Sequence, residues 1–284
     1  MRLRPQSLVF LGTPAMSVPP LRALHEAGFD VRLVVTNPDA RRGRGSGTEP
    51  SPVKAAAVEL GLPVTHAVDD AVSAGADLGV VVAFGQIIRP HVLAALPMVN
   101  LHFSLLPRWR GAAPVERAIL AGDDRTGVDL MGVEEGLDTG PVYARTELPI
   151  GPDEYAERLR ERLVDAGTQL LVGNLRAGLG EPTPQMGEPT YAHKLTAEDL
   201  RIDWSAPAEQ IHRQVRVGGA WTTWNGERFK VWRTARLPID GGVLHPTGTT
   251  PIELLEVQPA GKPRMHARAW ANGARWSDGD RLGT

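Results

Sequence analysis

Asn100 and His102 are two polar side chains in the otherwise apolar run 98–103. Side chains two residues apart on a β-strand point to the same face, so a strand here would place the amide beside the imidazole. An amide and a protonated imidazole together form the kind of donor pair that stabilises the oxyanion of an acyl transfer. A strand that merely ends in polar side chains would look the same, so these two residues alone do not decide the chemistry.

The segment that follows His102 is longer and richer in functional side chains than a simple connection requires. It has the sequence Ser104-Leu105-Leu106-Pro107-Arg108-Trp109-Arg110-Gly111-Ala112-Ala113-Pro114 and leads into a predicted helix, Pro114–Ala121. A connection between a strand and a helix is usually short and needs neither two arginines nor a tryptophan. Its length and composition therefore favour a functional loop beside Asn100 and His102.

Two further segments carry polar groups that could take part in the chemistry. Asp138 lies in the run Glu135-Gly136-Leu137-Asp138-Thr139-Gly140, which by default predicts a tight turn. The loop Pro38–Pro50 holds Arg41, Arg42 and Arg44 among glycines; glycine frees the backbone, and arginine offers paired donors to phosphate. The loop lacks the glycine fingerprint of a dinucleotide site and the lysine of a P-loop. A phosphate-binding loop and a solvated loop with incidental arginines both stay open.

Strands and helices alternate over the first part of the chain and would position these residues. The predicted strands are Ser7–Leu11, Val31–Thr36, Val80–Phe84, Met98–Phe103, Val128–Val133 and Val142–Leu148. The predicted helices are Val18–Ala27 capped by Ser17, the segment from Ser51-Pro52 to Gly61, Ile87–Leu96, Pro114–Ala121 and Glu154–Ala177. This alternation predicts an α/β fold with a mostly parallel sheet and helices on both faces. Asn100 and His102 then lie at the carboxyl end of a strand, where such sheets bind ligands.

The pattern changes after Gly178. Three prolines and two glycines in Gly180–Thr190 predict a linker, which we place at 181–203 between a first domain, 1–180, and a second, 204–284. The second domain is predicted to be small and β-rich, with a helix at Pro207–Val217, a hairpin turn at Asn225-Gly226 and a strand at Ile252–Val257. Six of the seven tryptophans lie in it or at its edge: Trp204, Trp221, Trp224, Trp232, Trp270 and Trp276.

Composition excludes several classes of function. The 284 residues include no cysteine, which rules out disulfides, thiolate zinc sites and a cysteine nucleophile and fits a reducing cytoplasm. No apolar stretch is long enough to span a membrane, and the scattered histidines show no metal-ligand spacing. The formal net charge is −2, yet residues 203–284 carry 11 basic and 8 acidic side chains while the rest is acidic. This asymmetry is weak support for a polyanionic partner of the tail.

The motifs resemble those of the methionyl-tRNA formyltransferase family. The resemblance lies in the Asn-x-His of Asn100-Leu101-His102, the run Ser104–Pro114 and the Leu-Asp-Thr-Gly of 137–140. It extends to Gly12-Thr13-Pro14, Pro50-Ser51-Pro52-Val53-Lys54, Arg201-Ile202-Asp203-Trp204 and 255–262, so it covers nearly the whole chain. The wider group of N10-formyl-tetrahydrofolate transferases shares the Asn-x-His and the Leu-Pro but typically not Arg-Trp-Arg-Gly-Ala-Ala-Pro.

The resemblance implies a fold and an activity. The fold would be a Rossmann-like formyltransferase sheet followed by a small oligonucleotide-binding-type (OB-like) β-barrel. The chain is shorter than usual between Arg236 and Leu254, as if one or two barrel strands were missing. The activity would be transfer of the formyl group of N10-formyl-tetrahydrofolate to the α-amine of methionyl initiator tRNA, in translation initiation.

The resemblance also implies a role for individual residues. Asn100, His102 and Asp138 would be catalytic. The folate would lie along Phe84, Gly85, Gln86, Ser104, Leu105, Leu106 and Pro107, with its pterin near Leu137. The tRNA would contact the loop of Arg41, Arg42 and Arg44, together with Lys54, Arg108 and Arg110. In the tail, the candidates for phosphate contacts are Arg213, Arg216, Arg228, Lys230 and Lys262.

Three other functions stay open. A formyltransferase acting on an amino-sugar nucleotide would share Asn100, His102 and Asp138 but would not need the basic loop or the basic tail. A formyl-tetrahydrofolate hydrolase would need neither, because its acceptor is water. A non-catalytic protein that binds folate or RNA is a different class, and the complete set of three catalytic residues argues against it. Neither a metal nor a membrane is expected.

Overall fold

The structure is a computed structural model that describes residues 4–41, 48–237, 239, 241–277 and 279–283. The chain forms two compact units. The first comprises Met1–Pro114, Arg125–Pro149 and Arg160–Ala192, and the second comprises Val115–Asp124, Ile150–Leu159 and His193–Thr284. Within the described residues, no helix combines the length and apolar character that crossing a membrane requires.

The first unit is built on a seven-stranded sheet. Its strands and short β-segments are β1 Ser7–Gly12, β2 Asp30–Val35, β3 Ala40–Arg41, β4 Thr48–Glu49, β5 Val64–Thr65, β6 Leu78–Val82, β7 Met98–His102, β8 Arg110–Gly111, β9 Arg125–Gly132, β10 Val142–Pro149 and β11 Tyr191–Ala192. Its helices are a 3-10 turn Ala15–Ser17, α1 Val18–Glu26, α2 Pro52–Glu59, α3 Asp70–Ser73 and α4 Pro90–Ala95. Helix α5 is Pro114–Ala121, and α6 Ala156–Ala177 begins in the second unit and continues into the first.

The order of strands in the main sheet is β10-β9-β7-β6-β1-β2-β5. Four neighbouring pairs are parallel, and the two pairs that include β9 are antiparallel. The predicted α/β fold with a mostly parallel sheet is therefore confirmed. Strand β6 adjoins β7, so the segments after Val82 and after His102 leave the sheet at the same edge.

Burial on both faces explains why the central strands form. Every residue of β1 and β6 is buried, as expected for a parallel strand covered on both sides. On one face, Ala71 of α3 and Val92 of α4 join a cluster with Val9 and Leu11. On the other face, α6 approaches so closely at Gly167 that a Cβ there would lie 3.1 Å from Val128. Each large aliphatic side chain buried in this way contributes roughly 1.5–3 kcal/mol to stability.

One helix cap and one helix start differ from the sequence prediction. Ser51 caps α2 as predicted, because its hydroxyl accepts the Lys54 amide hydrogen, with Pro52 in the first position. Ser17 precedes α1, but its hydroxyl donates to the carbonyl of Val82 at 2.7 Å, so the predicted cap is wrong. The helix predicted from Ile87 begins at Pro90, since the residue before a proline avoids the helical conformation.

The second unit contains a five-stranded antiparallel sheet. Its elements are α7 Ala208–Val217, β12 Trp221–Trp224, β13 Glu227–Ala235, β14 Val243–His245, β15 Ile252–Gln258, β16 Met265–His266 and α8 Ala267–Ala274. The order is β12-β13-β15-β14, and β16 also pairs with β15. Asn225 and Gly226 have φ values of 50° and 75°, which matches the predicted type I′ hairpin turn.

The sheet of the second unit lies in the part of the chain predicted as the OB-like tail, although the unit also includes Val115–Asp124 and Ile150–Leu159. Among the described residues, β12 and β14 form the two edges of the sheet and no pairing joins them, so the sheet is a half-barrel. Its core contains Phe229, Ile252 and Trp270, packed against Val215 of α7. In the short interval noted in the sequence between Arg236 and Leu254, the described residues form β14 and the start of β15.

Candidate active site

Strand β7 presents Asn100 and His102 on the same face at its carboxyl end. Asn100 is half-buried, whereas His102 is 5% exposed. The neighbouring strand β9 fixes their register, because Asn100 pairs with Met131 and His102 with Asp129. The side-chain amide of Asn100 forms no hydrogen bond within the described part of the chain, so its donors stay free for a ligand.

Both ring nitrogens of His102 face polar groups. Nε2 lies 2.9 Å from the backbone oxygen of Trp109, to which it donates. Nδ1 lies 3.6 Å from Oδ2 of Asp138. The structure therefore brings His102 and Asp138 together, as the sequence predicted, and adds the Trp109 carbonyl as a contact that the sequence did not predict.

Asp138 has an unusual backbone conformation. Its φ is +50°, a left-handed value that costs free energy for a non-glycine residue and tends to occur at functional sites. Its Oδ2 accepts the backbone N–H of Gly111 at 2.7 Å. Oδ1 makes no hydrogen bond among the described residues, which leaves one carboxylate oxygen free to accept a proton.

Asp129 on β9 anchors the loop that follows His102, and sequence reasoning missed it. The fully buried carboxylate accepts the N–H of Leu106 at 2.9 Å and two hydrogen bonds from Arg145, at 2.7 and 2.6 Å. Arg145 also donates to the Leu106 oxygen at 2.6 Å, and its bond to Asp129 raises the pKa of the guanidinium. A carboxylate inside the apolar run Val128–Met131 was the available signal, since such a group is buried only with partners.

The segment 183–192, predicted as part of a linker, forms hydrogen bonds with the loop that follows β7 and with the loop of Asp138. Thr190 accepts the amide hydrogen of Trp109 on its hydroxyl and that of Arg110 on its carbonyl, both at 2.9 Å. Strand β11 pairs in parallel with β8, and Gly111 allows this because a Cβ there would lie 2.9 Å from the Ala192 oxygen. In the same segment, Gln185 bonds to both active-site loops. No local sequence signal marks these contacts.

The residues predicted to hold folate fall into two groups. Gly85 and Gln86 are exposed, and Leu137 is 61% exposed, so these can contact a ligand. The side chains of Phe84, Ser104 and Leu106 are buried, while Leu105 and Pro107 are half-buried. The Ser104 hydroxyl donates to the Arg108 oxygen, and both backbone groups of Leu106 are bonded as described above. Leu106–Pro107 is a cis peptide.

The predicted tRNA contacts near the active site are only partly described. Arg42, Arg44 and the side chain of Arg41 lie outside the described residues; β3 and β4 flank this loop as a hairpin. The ammonium of Lys54 binds both carboxylate oxygens of Asp39, at 2.7 and 2.8 Å. The guanidinium of Arg108 lies over the ring of Trp109, 4.4 Å from its centroid, and that of Arg110 binds Gln185.

The cations predicted in the tail differ in their surroundings. Arg216 is buried and donates to the carbonyls of Glu154, Pro152 and Gly151, and burial lowers its pKa, so its prediction as a phosphate contact is wrong. Arg213 is one-quarter exposed, beside Glu209. Arg228 and Lys262 are exposed and Lys230 is half-buried. Nowhere in the described residues do three or more His, Asp or Glu side chains gather as metal ligands would.

Comparison with known proteins decides the family. The model of the formyl transferase family matches residues 6–175, and that of the formyl transferase C-terminal domain matches 194–275. Methionyl-tRNA formyltransferase of Paenarthrobacter aurescens is 45% identical over 94% of this chain and 96% of its own. That of Heliobacterium modesticaldum is 42% identical over 97% and 99%. The chain belongs to the methionyl-tRNA formyltransferase family.

Solved structures share the fold of this methionyl-tRNA formyltransferase family member at low sequence identity. HypX from Aquifex aeolicus, solved with tetrahydrofolic acid, superposes with a TM-score of 0.68 at 16% identity, over 99% of this chain and 51% of that one. The N-formyltransferase from Helicobacter canadensis, solved with folinic acid and dTDP-3-aminofucose, gives 0.65 at 17% identity, over 90% and 99%. These likenesses support the fold and do not distinguish the acceptor.

Proposed function

We propose that this protein transfers the formyl group of N10-formyl-tetrahydrofolate to the α-amine of methionyl initiator tRNA. The observation that carries the proposal is the meeting of three groups at the end of β7. The Asn100 amide has no hydrogen-bond partner among the described residues, His102 is buried beside it, and the Asp138 carboxylate lies 3.6 Å from the His102 ring. Transfer of an acyl group to an amine needs donors for an oxyanion and an acceptor for a proton, and these residues supply both.

Asp138 is the proposed proton acceptor. An α-amine has a pKa of about 8, so near neutral pH much of it must lose a proton before it can attack the formyl carbon. Oδ2 of Asp138 is held by Gly111, and Oδ1, which has no hydrogen-bond partner among the described residues, can take this proton directly or through a water molecule. The proton then passes to N10 of the folate as the bond between N10 and the formyl carbon breaks.

Asn100 and His102 are the proposed donors to the oxyanion. The Asn100 amide meets no competing acceptor among the described residues. The Nε2 proton of His102 is directed to the Trp109 carbonyl, so an oxyanion would compete with that carbonyl for it. Trp109 itself has a φ of +65°, and three of the five left-handed non-glycine residues among those described, Ala83, Trp109 and Asp138, lie in loops of this site.

The placement of exposed residues supports a folate site after β6. Gly85 and Gln86 are exposed, and Leu137 is the exposed neighbour of Asp138. From the loop after β7, Leu105 and Pro107 offer partly open apolar surface, whereas the Leu106 backbone is already satisfied by Asp129 and Arg145. We therefore propose that folate contacts this loop through Leu105 and Pro107 rather than through Leu106.

Basic side chains that lie over tryptophan rings in the second unit support a nucleic-acid acceptor. The guanidinium of Arg228 lies 4.4 Å from the ring centroid of Trp221, and Lys230 lies 5.3 Å from that of Trp232. Arg264 covers the same Trp232 at 4.8 Å. Cations held in place on aromatic rings form a preorganised surface for phosphates. We propose that this face of the β12–β13 hairpin contacts the tRNA backbone.

Amino-sugar nucleotide formylation is the second candidate, because the N-formyltransferase from Helicobacter canadensis shares the fold. The test supplies N10-formyl-tetrahydrofolate with methionyl initiator tRNA, with an amino-sugar nucleotide, or with buffer alone. We expect N-formylmethionyl-tRNA and neither formyl-sugar nor rapid release of formate. Formylation of the sugar alone, or formate without an acceptor, would refute the proposal.

A further inference from the structure

Gln185 lies between α6 and β11, and its side-chain amide uses its full hydrogen-bonding capacity. Nε2 donates to the backbone oxygens of Asp138 and Gly140, each at 2.8 Å. Oε1 accepts from Nε and Nη2 of Arg110, at 3.1 and 2.7 Å. Two donors and two lone pairs are all that a primary amide has. Gln185 therefore joins the loop of Asp138 to the loop of Arg110.

These two loops meet at the catalytic carboxylate. Oδ2 of Asp138 accepts the N–H of Gly111, the residue that follows Arg110. The left-handed backbone of Asp138 is not self-supporting, because a non-glycine residue keeps such a conformation only where its surroundings impose it. Gln185 supplies part of that support by holding the Asp138 carbonyl while Gly111 holds the carboxylate.

Gln185 is itself held on both sides in sequence. Thr183 forms two backbone hydrogen bonds with Val142, each 2.8 Å, at the start of β10. Thr190 donates its N–H to the Pro107 oxygen at 3.2 Å. Because these hydrogen bonds fix the backbone on both sides of Gln185, its side chain can hold the loops of Asp138 and Arg110 in place.

We propose that Gln185 is a positioning residue for formyl transfer, which orients Asp138 toward His102 and presents Arg110 to an anionic group of the acceptor. Two of the five guanidinium N–H groups of Arg110 bind Gln185, and the other three have no acceptor among the described residues and can bind a phosphate. This inference rests on the proposed function for its kinetic consequences. Its electrostatic consequence at His102 does not depend on which acceptor is used.

Two substitutions distinguish the contact of Gln185 with the Asp138 loop from its contact with Arg110. Gln185→Glu keeps an acceptor for Arg110 but loses both donors to the Asp138 loop and adds a negative charge beside it. Gln185→Leu loses all four hydrogen bonds. Because displacement of a catalytic group can cost about a hundredfold, we expect kcat with methionyl-tRNA to fall by about that factor in both variants. KM for the tRNA should rise only in Gln185→Leu, where Arg110 is released.

The pKa of His102, followed by NMR of its imidazole signals, gives a readout that lost stability alone would not move. In Gln185→Glu it should rise, because the added carboxylate favours the protonated ring. Gln214→Glu is the matched control, since Gln214 also donates to two carbonyls, those of Asp199 and Arg201, at 2.7 and 2.9 Å. The control should lower the melting temperature without changing kcat or the pKa of His102.

Either an unchanged kcat or an unchanged His102 pKa in Gln185→Glu would overturn the proposal. So would a KM for the tRNA that rises equally in both Gln185 variants. If the wild-type protein formylates no methionyl-tRNA, the proposed function fails. The NMR comparison of wild type with Gln185→Glu would still decide whether Gln185 controls the electrostatics at His102.

Discussion

His102 combines burial, two polar contacts and a position beside Asn100, and it is the residue on which catalysis should depend most. Loss of one oxyanion donor typically costs a hundredfold to a thousandfold in turnover, so we expect His102→Ala to lower kcat by at least about a hundredfold. Steady-state formylation kinetics give the value, and circular dichroism checks that the fold persists.

His91 offers a matched control for that substitution. It forms a histidine–aspartate pair with Asp69 at 2.8 Å, but both side chains are 57% exposed. Exposed ion pairs contribute little, so His91→Ala should keep near wild-type turnover. A His102→Ala variant that retains more than about a tenth of wild-type kcat would contradict the assigned role, since that loss is far below the cost of an oxyanion donor.

His245 predicts a pH dependence of stability in the second unit. Its Nε2 accepts the Leu282 amide hydrogen at 3.0 Å, its Nδ1 donates to the Pro246 oxygen, and burial lowers its pKa to about 4. Burial likewise lowers the pKa of His212 to about 4. The unfolded chain binds these protons near pH 6.5 and the folded chain near pH 4, so stability falls as pH drops through this window.

The free energy of unfolding, measured with urea at intervals between pH 5 and pH 7, gives this effect. That pH range lies above the one in which most carboxylates titrate. Each histidine should contribute up to about 3 kcal/mol across its full window, with no further loss below pH 4. His245→Gln removes one titrating group, so its free energy of unfolding should vary less steeply with pH. A slope equal to that of the wild type would show that His245 is not the source.

At the scale of elements, the loop after β7 is held to β9 by Asp129. In Asp129→Asn, the charge-assisted bonds to Arg145 weaken and the N–H of Leu106 can lose its acceptor. We expect a loss of about 1–3 kcal/mol in the free energy of unfolding, together with lower kcat because the loop carries Trp109 and Gly111. Chemical denaturation and initial rates measure the two effects.

Glu147→Gln on the adjacent strand β10 is the control for Asp129→Asn. Its partner Arg125 is 59% exposed and Glu147 is 46% exposed. Breaking such a surface pair should cost less than about 1 kcal/mol and leave turnover unchanged. Equal losses of stability in the two variants would mean that Asp129 does not anchor the loop.

The secondary-structure elements could be predicted from the sequence where local patterns determine them, whereas contacts between distant residues could not. The strand that ends at His102 and the hairpin at Asn225-Gly226 were predictable, because period-two patterning and turn chemistry are local properties. Gln185 was not, since it bonds to Asp138, 47 residues earlier in the chain, through a backbone carbonyl that has no side-chain signature. The prediction that Ser17 caps α1 was wrong for the same reason, because its hydroxyl donates to the carbonyl of Val82, 65 residues away.

At the scale of the whole molecule, tRNA binding should depend on salt. Each phosphate contact releases counterions, so Arg228→Gln should weaken tRNA binding and reduce the slope of log K against log salt by about 1. Arg22→Gln on α1 removes an equally charged side chain that pairs with Glu59, and we expect it to leave that slope unchanged. Filter binding at several salt concentrations measures both slopes; equal slopes would exclude Arg228 from the interface.

The most direct test of the central claim is a competition. The wild-type protein receives N10-formyl-tetrahydrofolate with equal amounts of methionyl initiator tRNA and an amino-sugar nucleotide, and mass spectrometry identifies every formylated product. We predict formyl groups on the tRNA-bound methionine only, and their loss in His102→Ala. Formyl groups on the sugar, or product formation that survives His102→Ala, would contradict the account.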